Sequence, residues 1–163
     1  MARALIVGCG CRGRELGREL LEAGWRVRGT SRTEAGAEAI AGVGIEAAIA
    51  DPDRAATIVE LIDDVAVIFW LLGSARGNER ATEALHGPRL ERLLEEIVDT
   101  PVRGLVYEGG GELAAGIRAR GAAAARAAEA RWRIRVEVVE ADPADTGTWR
   151  AEMIAGVERL LSR

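Results

Sequence analysis

The chain contains no lysine: all 22 of its basic residues are arginine. Every mechanism that needs a lysine amine is therefore excluded, including a phosphate-loop lysine, a Schiff base and a tyrosine–lysine proton relay. Histidine and tyrosine occur once each, as His86 and Tyr107, so the choice of acid–base groups is short. Two cysteines, Cys9 and Cys11, are too few to hold zinc, and His86 alone cannot complete a site. No metal is expected. The formal net charge is −4, so no basic field invites nucleic acid. The chain does not open on a signal-peptide pattern; its first apolar run reads as a strand followed by glycines. The longest apolar stretch, Val65 to Leu72, is too short to span a membrane. The expected setting is the cytoplasm.

What is present begins with Leu5-Ile6-Val7-Gly8-Cys9-Gly10-Cys11-Arg12-Gly13. An apolar strand runs into a Gly-x-Gly-x-x-Gly turn that opens a helix, the context in which this motif cradles a dinucleotide phosphate. Gly8 allows the tight turn, Gly10 lets backbone approach a pyrophosphate, and Gly13 lets the helix sit close to the strand. The helix N-terminus adds free N–H groups and positive partial charge.

Strand and helix patterns then alternate along the chain. After the first strand, Leu5 to Val7, strands are expected at Trp25–Gly29, Ile45–Ile49, Val65–Leu72, Val102–Tyr107 and Ile134–Val139. The alternation of Ile134, Val136 and Val138 with Arg135 and Glu137 reads as an edge strand. Helices are expected between them. One starts at Asp51-Pro52, with Asp51 as its N-cap. Another runs from about Leu113 to Arg131 and could break near Gly116 and Gly121. Trp70, Trp132 and Trp149 fit apolar faces and read as core. The fold class is α/β: a three-layer, doubly wound parallel sheet of about six strands, ordered 3-2-1-4-5-6, in one domain over residues 1–163. Ligand belongs at the carboxyl ends near strands 1 and 4, where Leu72 and Gly73 are expected to border it.

A site for NAD expects an acidic residue about 20 residues past the glycine motif. Thr30, Ser31 and Arg32 stand there instead. A carboxylate would repel a 2′-phosphate, whereas an arginine and hydroxyls bind one. The expected cofactor is NADP, with Arg12 able to reach the same phosphate; Glu34 keeps NAD open. Asp51 could meet the adenine amine or serve only as the helix cap. Cys9 and Cys11 read as small side chains in a tight loop, with redox sensing as the other reading. His86, Tyr107 and Glu108 are the candidates for chemistry. The first reads more readily as an exposed loop histidine beside the Gly87-Pro88 break, the second as packing.

These residues resemble the short-chain dehydrogenase/reductase superfamily, nearest its atypical and extended branch of NAD-dependent epimerase/dehydratase-like proteins. Val7 to Gly13 looks like that branch's glycine loop, and Val27 to Arg32 like its second strand with an NADP-type ending. Ala50-Asp51 looks like its adenine-contact aspartate, Leu105 to Tyr107 like its fifth strand, and Glu140 to Pro143 like the loop after the sixth. The resemblance implies a Rossmann fold and a nicotinamide cofactor. Two departures stand out. Glu108-Gly109-Gly110 occupies the catalytic serine position, and no Tyr-x-x-x-Lys pair exists. About two dozen residues follow the last strand, so any pocket for the unidentified small-molecule substrate is expected from loops or a second subunit. The edge at strand 6 could support a homodimer. Three readings follow: an oxidoreductase without the usual relay, a non-catalytic NADP(H)-binding sensor acting through a protein partner, or a structural relic that binds nothing tightly.

Overall fold

Residues 2–163 are described, in a computed structural model of the chain. The strands are β1 (Arg3–Val7), β2 (Arg26–Ser31), β3 (Glu46–Ile49), β4 (Val65–Trp70), β5 (Gly104–Glu108) and β6 (Arg135–Val139). They form one sheet in the order β3-β2-β1-β4-β5-β6, and every pairing is parallel. This is the doubly wound order that the alternating patterns predict. The helices are α1 (Cys11–Glu22), α2 (Glu34–Ala41), α3 (Ala55–Val59), α4 (Glu79–Leu85), α5 (Pro88–Glu96), α6 (Ala115–Trp132) and α7 (Thr146–Ser162). None among the described residues is long and apolar enough to cross a membrane.

Successive side chains of the central strands serve opposite faces. Ile6, Phe69 and Val106 pack with Leu16 of α1, Ile40 of α2 and Met153 of α7. Leu5, Ile68 and Tyr107 pack with Ile58 of α3, Leu93 of α5 and Ala125 of α6. Burial on both faces explains why Val65 to Leu72 is a continuous apolar run rather than an alternating one. β6 lies at the sheet edge. Its polar residue Glu137 is nevertheless buried, because Arg159 of α7 and Arg163 just past its end reach over it at 3.1 and 2.6 Å.

Two expected details differ. The helix after β3 begins at Ala55 with Arg54 as its N-cap, not at Asp51-Pro52. The Asp51 carboxylate instead accepts from the Asp53 N–H at 2.9 Å, and the Thr57 hydroxyl bridges the Asp51 N–H and C=O. That turn consumes the residues the helix would have used. Helix α6 is also unbroken through Gly116 and Gly121. Gly121 is there for space: a Cβ would overlap the Tyr107 hydroxyl.

At the carboxyl ends of β4, β5 and β6 the chain lies backbone against backbone. A Cβ on Gly73 or Gly111 would overlap the other's loop, and one on Gly110 would overlap the Ala141 carbonyl. Three loops are thus seated on one another through glycines.

Candidate functional site

The carboxyl ends of β1, β2, β4 and β5 open into a cleft of about 650 Å³. The glycine turn forms one wall. Gly8 has φ +83°, and a Cβ there would lie 2.5 Å from the Leu71 carbonyl oxygen, so both conformation and space demand glycine. A Cβ on Gly10 would meet no protein atom within 4 Å; the space above it belongs to the cleft. A Cβ on Gly13 would come within 3.3 Å of the Gly8 carbonyl oxygen, which is how α1 packs close to β1. No side chain caps α1. Its first-turn N–H groups, which no preceding carbonyl satisfies, are left to the cleft.

Thr30, Ser31, Arg32 and Gly36 line the cleft beyond the end of β2. Glu34 does not line it. Arg12, Arg14 and Arg76 line it as well. None of Arg12, Arg14, Arg32 and Arg76 forms an ion pair or side-chain hydrogen bond among the described residues, whereas Arg3, Arg28, Arg150 and Arg163 all pair with carboxylates. The cleft therefore concentrates unmatched positive charge in a protein whose net charge is negative.

Of the expected cofactor contacts, Gly8, Gly10, Cys11, Arg12, Gly13, Thr30, Ser31, Arg32 and Leu72 line this cleft. Asp51 and Gly73 do not, although their neighbours Ala50, Pro52 and Ser74 do. Asp51 has one oxygen committed to its own turn. Sequence reasoning missed Arg14, Arg76, Thr146 and Trp149. A free arginine in the loop after β4 was the readable signal for Arg76. Trp149 was hidden because its stripe on α7 is otherwise core. Cys9 is buried beneath Gly29, and burial pushes its thiol up to about 12 against the pull of Arg14. It stays protonated and packs. Cys11 is exposed.

At the other end of the cleft stands Glu108, 4% exposed, on the β5 terminus. Its Oε1 accepts from the Gly73 N–H at 2.8 Å. Burial pushes this carboxyl from 4.5 up to about 7, opposed by the Gly73 N–H, the Trp149 indole and the Arg12 charge. Trp149 is buried and lines the same wall, with its indole N–H directed at the Glu108 carboxyl.

His86 and Tyr107 lie outside the cleft. His86 is 1% exposed, which corrects its reading as an exposed loop residue. Its Nε2 is 2.7 Å from the Leu72 carbonyl oxygen, which can only accept, so Nε2 carries the hydrogen. Nδ1 then accepts from the Tyr107 hydroxyl at 2.5 Å. The pair braces Leu72 from beneath the cleft floor. Burial, seconded by Arg118 against the Leu72 hydrogen bond, holds His86 below its usual 6.5. Burial likewise pushes the Tyr107 phenol up.

Glu108 and His86 act oppositely on stability. The folded state holds its proton on Glu108 more tightly than the unfolded chain does, so this group's contribution is lost as pH rises through about 7. His86 is neutral when folded, so its contribution is lost as pH falls below 6.5. Glu108→Gln removes only the first dependence and keeps an acceptor for Gly73. Melting curves of wild type and variant should lie close together near pH 4.5 and separate in the variant's favour towards pH 8. Parallel pH dependences would refute this account of Glu108.

No protein-family model and no curated protein matches the chain. Solved structures do. Vestitone reductase from alfalfa superposes with a TM-score of 0.69 at 14% identity, covering 86% of this chain and 56% of its own. Yeast methylglyoxal/isovaleraldehyde reductase, solved with NADPH, gives 0.69 at 11% identity over 86% and 57%. UDP-glucuronic acid 4-epimerase from Bacillus cereus, solved with NAD, gives 0.64 at 14% identity over 85% and 56%. The chain spans a little over half the length of each of these structures. The shared feature is the fold: this sheet is the Rossmann arrangement, as in these two reductases and the epimerase.

Proposed function

We propose that the protein binds NADP(H) across the carboxyl ends of its sheet and acts as an oxidoreductase without a tyrosine–lysine relay. The observation that carries this reading is the set of four unpaired arginines lining the cleft around the glycine turn. Phosphates are the ligands that match unpaired guanidinium groups beside an uncapped helix N-terminus. The absence of a carboxylate at the β2 end of the cleft favours the 2′-phosphorylated cofactor. The residues fit the group: Gly10 leaves open space, Arg32 stands with Thr30 and Ser31, and the α1 N-terminus carries no side-chain cap. Bound there, the dinucleotide supplies or accepts hydride; Arg32 would hold the 2′-phosphate and the α1 terminus the pyrophosphate. Solved neighbours of the same fold carry NADPH or NAD.

A second reading, a non-catalytic NADP(H) sensor, draws on the sealed position of His86 and Tyr107, which leaves few titrating groups in the cleft. Titration of the protein with NADPH and NADH, followed by cofactor fluorescence, tests the common core of both. NADPH is expected to bind at least about tenfold tighter, a difference of about 1.4 kcal/mol. Failure of both cofactors to bind would sink the reading. Reduction of a panel of carbonyl compounds by the bound NADPH separates enzyme from sensor.

A further inference from the structure

Two carboxyl side chains are buried among the described residues, Glu108 and Glu137. The fold treats them differently. Glu137 is held by Arg159 and Arg163 at 3.1 and 2.6 Å, so its charge is matched within the protein. No ion pair holds Glu108 among the described residues; its partners are two neutral donors, the Gly73 N–H at 2.8 Å and the Trp149 indole. The cation whose charge acts on it is Arg12 of α1, which lines the same cleft and is itself unpaired. The other elements around Glu108 bring it no second countercharge. Gly73, in the loop after β4, and Trp149 of α7 do not titrate. Tyr107, beside it on β5, is kept neutral by burial and packs on the opposite face of the sheet. Glu15 of α1, Glu112 after β5 and Glu140 after β6 are exposed.

The buried carboxyl thus depends on a cation that an anionic ligand would claim. A phosphate at the α1 terminus acts on Glu108 in one direction. It brings negative charge towards the carboxyl, it engages the guanidinium that offset the carboxylate, and it replaces water in the cleft. Each change disfavours the ionised form. The acid form keeps its place, because a protonated carboxyl still accepts from both donors. We propose that the cleft takes up a proton together with its dinucleotide, and that Glu108 is the group that receives it. This assignment rests on the dinucleotide reading above. The complex holds more protons than the free protein, so affinity for the cofactor falls as pH rises. Carbonyl reduction consumes one proton for each hydride, and this uptake places one in the cleft with the cofactor.

A unit of negative charge arriving within about 10 Å strengthens such a carboxyl's hold on its proton roughly tenfold. The free group titrates at about 7, so NADPH binding at pH 7.5 should take up about 0.5 proton. From this cause alone the affinity should fall about fivefold between pH 6 and pH 8. The test is calorimetric titration with NADPH at pH 7.5 in HEPES and in Tris, whose different ionisation enthalpies reveal the protons exchanged. At that pH the 2′-phosphate of the cofactor, with a pKa of about 6, is ionised both free and bound. Wild type is expected to show the uptake. Glu108→Gln should show none, and should match wild-type affinity at pH 6, because glutamine imitates the protonated acid. Cys11→Ser, which removes the exposed thiol of the same cleft, should keep the uptake. Unchanged melting behaviour near pH 4.5 certifies that the glutamine variant folds, and the wild-type measurement needs no variant at all. NADPH binding by wild type without proton uptake would overturn the role of Glu108 and leave the dinucleotide reading standing. Uptake that persists in Glu108→Gln, or vanishes in Cys11→Ser, would do the same. Failure of both NADPH and NADH to bind at any pH would overturn both.

Discussion

Gly121→Ala should destabilise the protein by about 3 kcal/mol, although alanine is the better helix former. Helix propensity alone would favour the substitution by up to about 1 kcal/mol. Sterics decide otherwise. The added Cβ would overlap the Tyr107 hydroxyl, lie 2.6 Å from Cζ and stand 3.1 Å from His86 Nδ1. All three atoms belong to buried, hydrogen-bonded rings with no free volume to retreat into. Overpacking of this kind costs about 1–3 kcal/mol, and losing the His86–Tyr107 hydrogen bond with both groups still buried adds about 1–3 more. For a chain of this size the melting temperature should fall by roughly 6–12 °C. Gly116→Ala is the internal control. Its Cβ would meet nothing within 4 Å, so the variant should be neutral or slightly stabilised. Adding Tyr107→Phe to Gly121→Ala should recover part of the loss, because it removes the overlapping oxygen. A Gly121→Ala variant as stable as wild type would mean that this contact is not tight.

Arg32→Ala should weaken NADPH binding by about 10- to 100-fold and leave NADH within about twofold. A guanidinium bonded to a phosphate is worth about 1.5–3 kcal/mol, and NADH has no 2′-phosphate to lose it from. Arg32 is exposed and forms no ion pair among the described residues, so its removal should shift stability by less than about 0.5 kcal/mol. Arg12→Ala is expected to behave differently. Arg12 stands in the first turn of α1, where the pyrophosphate common to both cofactors is proposed to sit. Its loss should weaken NADPH and NADH in parallel. Equal losses of both cofactors in Arg32→Ala would remove the 2′-phosphate role from that residue.

The glycine turn, the six strands and the order of the sheet were legible because they rest on local pattern. A turn needs glycine where φ is positive, and a central parallel strand needs an unbroken apolar run. The same locality explains the misreading at Asp51-Pro52. A carboxylate before proline is a good helix start, yet the Thr57 hydroxyl six residues on ties up the backbone first. His86 and Tyr107 stand 21 positions apart, and nothing in their flanking residues announces that they meet. Gly121 is the third member of that contact, and in sequence it reads only as a possible helix break. Trp149 was misfiled for a related reason. Spacing along α7 places its ring in the core correctly, but spacing carries no information about where the indole N–H goes.

The loops after β4, β5 and β6 rest on one another through Gly73, Gly110, Gly111 and the Ala141 carbonyl. In the genetic code, every missense neighbour of a glycine codon specifies a residue with a Cβ. No single base change can therefore vary these positions while keeping the loops seated. This junction of three loops should stand out in a saturation mutagenesis map as a patch of intolerance without side chains, while the cleft arginines remain free to drift with the ligand.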